Sequence, residues 1–191
     1  MHDKLLQYIQ LEHDFTPEDI EAVKNCFEPV KFLKNTVIEK EGEVPVYLYY
    51  IVSGYLRLFY LDQKGNQITT HINCPPGFFT SYTHFINGTR SQDHVECITD
   101  CELLRISKLN LDHLIDISQA MKNFSISVFR QSIIYNENRS RELSALTAEQ
   151  RYLKLLEDYP GIIQNVPIQY IASFLGMKPE SLSRIRRKII N

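Results

Sequence analysis

Gly176 sits between two stretches that each have the apolar spacing of a short helix, and no other feature restricts the fold of this chain so tightly. Before it, Ile168, Ile171, Ala172 and Leu175 recur as i, i+3, i+4, i+7, which is one helix face. Glycine is the residue that ends a helix by turning left-handed at little steric cost. After it, Pro179 suits the first turn of a second helix, where an N–H would have had no partner. That helix buries Leu182, Ile185 and Ile189, and turns Glu180, Ser183, Arg184 and Arg187 outward, again at i, i+3, i+4, i+7. Ala172 falls where the two helices cross and leaves no room for a larger side chain. Two short helices on a tight glycine turn, the second polar and basic outward, predict a helix-turn-helix.

Charge follows the same division. Gly176–Asn191 holds five basic residues (Lys178, Arg184, Arg186, Arg187, Lys188) and one acid (Glu180), although the whole chain is at −2. A chain that is mildly acidic overall but concentrates cations on its last helix is built to approach a polyanion with that end.

The run Glu180-Ser-Leu-Ser183-Arg184 resembles the start of the recognition helix in the Crp/Fnr superfamily of bacterial transcription regulators, in particular its Fnr-like branch. The resemblance implies that Glu180, Ser183 and Arg184 face base edges of double-stranded DNA. Their chemistry suits the task independently: a guanidinium fork matches guanine O6 and N7, a carboxylate accepts from cytosine N4, and a hydroxyl serves either sense. Arg186, Arg187 and Lys188 are expected on phosphates, which fix register without reading sequence. Gln169 and Tyr170, near the start of the preceding helix, are weaker candidates for phosphate contact. Many relatives continue into a β-hairpin wing, whereas this sequence ends at Asn191, so the expectation is a wingless variant.

The front of the chain has a different period. Residues 1–27 read as helical, with Thr16-Pro17-Glu18-Asp19 supplying a cap, a proline at the first position and acids in the first turn. From about Val30 the sequence is rich in Val, Ile, Tyr, Phe and Thr, and Gly42, Gly54, Gly65 and Pro75-Pro76-Gly77 interrupt it every eight to twelve residues or so, the rhythm of an antiparallel sandwich or barrel. Alternation over Tyr55–Tyr60 predicts one buried face and leaves Arg57 outside. Strands resume around Asp93–Ile106. Glu41-Gly42-Glu43, Tyr50–Gly54, Pro76-Gly77 and Cys101–Ser107 resemble the cyclic-nucleotide-binding β-roll that precedes the helix-turn-helix in Crp/Fnr proteins. The expected fold class is thus α+β: an N-terminal antiparallel β-roll (a double-stranded β-helix) with a long dimerisation helix, then a small all-α domain.

Ser107 is expected to cap a helical stretch reaching Leu143, in which Met121, Phe124, Val128, Phe129 and Ile133 form a broad apolar stripe. The resemblance implies that this helix, about 110–143, pairs with its twin in a homodimer. A dimer also gives a helix-turn-helix the two copies that a palindromic site requires. A linker is expected around Ser144. Thr147-Ala-Glu-Gln150 is a capping box that begins a helix with Tyr152, Leu153, Leu155 and Leu156 inward, and Tyr159-Pro160-Gly161 stops it. The domains expected are 1–143, sensor and dimerisation helix, and 144–191, DNA-binding.

In cyclic-AMP-binding relatives a glutamate after the loop glycine holds the ribose and an Arg-Ser pair holds the phosphate. Here Phe78-Phe79 follow Gly77, so that acid is missing, while Arg90-Ser91 lies nearby with shifted spacing. Gly77, Phe78, Phe79, Arg90 and Ser91 are therefore the candidate effector pocket, one better suited to an apolar ligand, or none, than to a cyclic nucleotide. No cofactor, metal or catalytic residue is expected. Cys26, Cys74, Cys97 and Cys101 form no C-x-x-C pair, no H-x-H occurs, and neither a P-loop nor a nucleophile elbow is found. No long uncharged apolar run or signal peptide occurs, so a cytoplasmic protein without membrane contact is expected. The prediction is a DNA-binding transcription regulator and not an enzyme, with RNA polymerase a further partner left open. The alternatives are a cyclic-nucleotide-responsive regulator and a β-roll interaction module that does not bind DNA.

Overall fold

A computed structural model describes residues 1–190. Two helices lead in, α1 (His2–Ile9) and α2 (Pro17–Cys26). The Thr16 hydroxyl accepts from the Asp19 N–H and the Asp19 carboxylate from the Thr16 N–H, so the expected cap forms reciprocally. The β-rich stretch then supplies β1 (Glu28–Phe32), β2 (Val37–Glu39), β3 (Tyr47–Ser53), β4 (Leu56–Leu61), β5 (Gln67–Asn73) and β6 (Gly77–Phe79), the short helix α3 (Tyr82–Asn87), and β7 (His94–Cys97) and β8 (Cys101–Ser107). Six helices follow: α4 (Lys108–Ile117), α5 (Gln119–Ala145), α6 (Ala148–Asp158), α7 (Pro160–Asn165), α8 (Ile168–Phe174) and α9 (Pro179–Ile190).

The strands form two antiparallel sheets, ordered β1-β8-β3-β6 and β2-β7-β4-β5. Strand β3 shows why the layers assemble. Tyr49 and Ile51 point between the sheets, with Leu56, Leu58, Val95 and Leu103. Leu48, Tyr50 and Val52 point the other way, under Leu5, Ile9, Met121 and Phe124 of the covering helices. A strand with a core on both faces reads as a continuous apolar run, which is what YLYYIV is. A third cluster joins α6, α7, α8 and α9 to Ile72 and Ile98 of the roll.

Arg57 departs from the alternation expected of β4. It is 1% exposed, although its strand position does face away from the inter-sheet core. The C-terminal helices cover that side of the second sheet, a layer that no pattern within β4 encodes.

The helix expected over about 110–143 is two helices. Ser118 adopts an extended conformation and its hydroxyl accepts from the Met121 N–H, so it ends α4 and caps α5. At the other end α5 runs through Ser144, whose hydroxyl bonds back to the Ser140 and Arg141 carbonyls. The turn to α6 therefore shrinks to Leu146 and Thr147. The Arg151 guanidinium closes it, donating to the carbonyls of Leu143, Leu146 and Leu175 and so satisfying the ends of α5 and α8 together. In α6 only Tyr152 and Leu155 are buried, while Leu153 and Leu156 are exposed, because the face that meets α7 to α9 is narrow. Tyr159-Pro160-Gly161 does more than stop α6: Pro160 opens α7, and Gly161 lies so close to Tyr55 that a Cβ there would meet the phenol oxygen at 2.6 Å.

Candidate functional site

The turn between α8 and α9 is fixed by backbone bonding. Gly176 has φ +66°, its N–H donates to the Ser173 carbonyl, and the Met177 N–H donates to the Ala172 carbonyl. This pair of bonds across a left-handed residue is the Schellman ending of a helix. Ala172, wholly buried, lies under the turn beside Leu182.

Leu182 anchors α9 from below, with Ile185 partly covered and Ile189 at 38% exposure. On the opposite side Glu180, Arg184 and Arg187 are exposed and Ser183 is partly so. The Arg187 Nε lies 3.5 Å from the Ser183 carbonyl and the Arg184 guanidinium 3.4 Å from the Ser181 hydroxyl, contacts too long to hold either side chain. Lys188 is committed elsewhere, its ammonium 3.0 Å from both Glu149 oxygens on α6. Arg186 is half-buried, off the outward row, and Gln169 is exposed at the start of α8. The structure thus brings four of the residues together as one polar ridge, while Lys188 and Arg186 flank it.

Tyr170 lies on the other side of α8. Its ring covers Arg57, whose guanidinium carbon is 3.6 Å from the ring centre and 4.1 Å from that of Phe59. The same guanidinium donates through Nε to Glu96 at 2.6 Å and reaches Thr69 at 3.3 Å. Next to it, the Ser173 hydroxyl accepts from the Thr69 N–H and meets the Gln67 carbonyl, so α8 partners backbone groups of β5, an edge strand. The Tyr170 ring thus holds α8 against the roll. The one arginine in an otherwise apolar and aromatic strand was the signal in the sequence, and the residue that covers it lies 113 positions away.

Between β5, β6, the start of α3 and the middle of α5 lies a cavity of about 480 Å³. Of the candidate effector residues, Gly77, Phe78 and Phe79 line it and Arg90 and Ser91 do not. The Arg90 guanidinium bonds the Gly42 carbonyl at 2.7 Å, and Ser91 is buried in bonds to Ser81 and to the Asp93 backbone. Arg90 thus ties the loop between α3 and β7 to the β2–β3 connection, and the Ser91 hydroxyl holds the loop's own shape. In their place stand His71, Tyr82, Asp93, Tyr135 and Asn136. His71 bridges β5 and α5, its Nε2 2.7 Å from the Asn136 carboxamide oxygen, and burial lowers its pKa. Burial raises that of Asp93, which has the Ser81 hydroxyl at 3.4 Å. Behind Thr80 and Ser81 the buried carboxyl of Glu39 accepts from the Thr80 hydroxyl and the Ser81 N–H, and burial pushes its pKa up to about 7.

Along α5, Met121, Phe124 and Val128 are buried against the roll, and Phe129 meets Tyr82 edge-on. Ile126, Ile133 and Ile134 are 47%, 62% and 52% exposed, so the stripe read from the sequence divides between a covered and an open face. No described helix is long and apolar enough to cross a membrane.

Residues 29–118 match the cyclic nucleotide-binding domain family. Solved structures resemble most of the chain. FixK2 from Bradyrhizobium japonicum aligns at 18% identity and TM-score 0.74, covering 85% of this chain and 84% of its own. CLP of Xanthomonas campestris, described as a c-di-GMP responsive global regulator, aligns at 17% and 0.70, covering 91% of each. A structure described as a crp/fnr-family transcriptional regulator from Eubacterium rectale aligns at 17% and 0.69, covering 92% and 83%. At these identities the likeness is one of fold. No curated protein matches the sequence.

Proposed function

We propose that this chain, which has the domain and the fold of the Crp/Fnr regulators, is a homodimeric, sequence-specific DNA-binding transcription regulator and not an enzyme. In this reading residues 1–143 sense and dimerise, and residues 144–191 form a helix-turn-helix domain. The observation that carries it is the ridge on α9: Glu180, Ser183, Arg184 and Arg187 face solvent together on a helix anchored by Leu182. Nothing in the packing of α9 calls for those residue types. Glu180, Ser183 and Arg184 would read base edges, and Arg187 and Gln169 would hold phosphates. Arg186 and Lys188 would meet the flanking backbone, the latter after leaving Glu149.

The open face of α5 supports dimerisation. Ile126 and Ile133 are seven residues apart, the repeat that keeps one seam of a helix facing a partner. Two such subunits would present their α9 helices to half-sites about one helical turn, ~34 Å, apart. RNA polymerase is the partner an activator of this kind would require.

A cyclic-nucleotide-responsive regulator is the second reading, favoured by the domain match. The absence of an acid after Gly77 and the engagement of Arg90 with Gly42 weigh against it. Selection of bound sites from random duplexes tests the main reading. The result expected is a pseudo-palindrome bound by two subunits; failure to enrich any sequence, even at low salt, refutes it.

A further inference from the structure

Effector chemistry is written into the walls of the 480 Å³ cavity. That volume lies within the range of small-molecule sites. Its aromatic surface comes from Phe78, Phe79, Tyr82 and Tyr135, carried on β6, α3 and α5. Its polar surface is unusual for a fold associated with nucleotides, because among the described residues no lysine or arginine lines it. The guanidinium of Arg90 is turned to the Gly42 carbonyl, and that of Arg139 lies over Phe174 in a neighbouring crevice.

Apart from the phenols of Tyr8, Tyr82 and Tyr135, the ionisable groups that face the space are Asp93, His71 and His84. His71 is half-buried and already bonded at both ring nitrogens, to Thr70 and to Asn136. The His84 Nδ1 is likewise taken by Thr89. The Asp93 carboxylate has one long contact, to the Ser81 hydroxyl, and keeps acceptor capacity free. Glu39, one layer behind Thr80 and Ser81, spends its carboxyl oxygens on those two residues and brings no cation to the same wall. A phosphate placed here would lose water, gain no cationic donor, and lie near a carboxylate, each an unfavourable contribution. A protonated amine would meet the opposite conditions.

We infer that this cavity binds a small ring-bearing cation, its ammonium group against Asp93 and its ring among Phe79, Tyr82 and Tyr135. The occupant would touch the roll through β6 and α3, and α5 through Tyr135 and Asn136, bridging the sensing layer and the proposed dimer helix. This deepens the regulator reading, on which only the effector role rests. Binding is read without DNA, so an empty cavity and a failed operator selection are separate results.

The test is NMR on the full chain with four probes: benzylamine, benzyl alcohol, benzoate and cyclic AMP. Benzylamine is expected to shift the His71, Tyr82 and Tyr135 ring signals saturably, benzyl alcohol more weakly, and benzoate and cyclic AMP not at all. Asp93→Asn is expected to weaken benzylamine by about tenfold, the scale of one charge-assisted bond, and benzyl alcohol much less, because the amide oxygen of asparagine still accepts from a hydroxyl. The benzyl alcohol signal also shows that the variant has folded, and the comparison of amine with acid in the wild type stands without it. Shifts from benzoate or cyclic AMP at these residues would overturn the inference. So would silence toward benzylamine, or an Asp93→Asn protein that binds it undiminished.

Discussion

The guanidinium of Arg57 and the ring of Tyr170 lie in contact, 3.6 Å from charge centre to ring centre, across the boundary between the β-roll and the C-terminal helices. A cation this deeply buried survives only with its hydrogen bonds met and its charge balanced. Glu96 balances it, Thr69 takes a second donor, and Tyr170 and Phe59 cover its two faces. The helix preceding α9 is therefore seated on the roll by a residue that belongs to the roll.

Removing either partner of this contact should have unequal consequences. Tyr170→Ala is expected to cost about 2 kcal/mol, the scale of a desolvated cation–π contact. Arg57→Ala is expected to cost about 3–5 kcal/mol, because Glu96 would be left buried without its counter-charge. Urea denaturation of the two variants checks the order, and equal losses would contradict it.

Glu39 makes stability depend on pH in a defined window. Burial raises its pKa from 4.5 to about 7. Between these values the folded chain holds a proton that the unfolded chain has released, so its contribution is full below about pH 4.5 and is lost as pH rises through 7. The change is at most roughly 3 kcal/mol. Glu39→Gln should flatten the stability profile over this interval, as measured by thermal or urea unfolding at each pH.

On the proposed DNA-binding ridge, Arg184→Ala is expected to cost ~1–3 kcal/mol with the selected operator and to relax the preference at one base position. Arg187→Ala should weaken all duplexes alike and reduce the slope of log affinity against log salt by about one. Lys188→Ala should have the smaller effect, since its ammonium already pairs with Glu149. Fluorescence anisotropy at several salt concentrations distinguishes the three.

The open isoleucines of α5 predict the oligomeric state. Ile133→Glu places a charge on a residue that is 62% exposed in the single subunit, so the fold should be nearly unaffected. In the proposed dimer the same charge would be buried and unpaired. Sedimentation should show the wild type as a dimer and the variant as a monomer with unchanged circular dichroism.

What the sequence determined by itself was local or periodic. The helix ending at Gly176, the caps at Thr16, Ser107 and Thr147, and the outward row of α9 each depend on residues within about two turns of one another. Turn spacing announced the β-roll, because strand rhythm is likewise a near-neighbour property. Tertiary structure alone decided what covers Arg57, since a strand pattern reports which face a side chain takes but not whether a distant helix lies on that face. It also decided that Arg90 ties its loop to the β2–β3 connection while Asp93 faces the cavity: a shift of three residues in a loop leaves composition and period unchanged, and only bonds to the distant Gly42, Glu43 and Ser81 fix which side chain points inward.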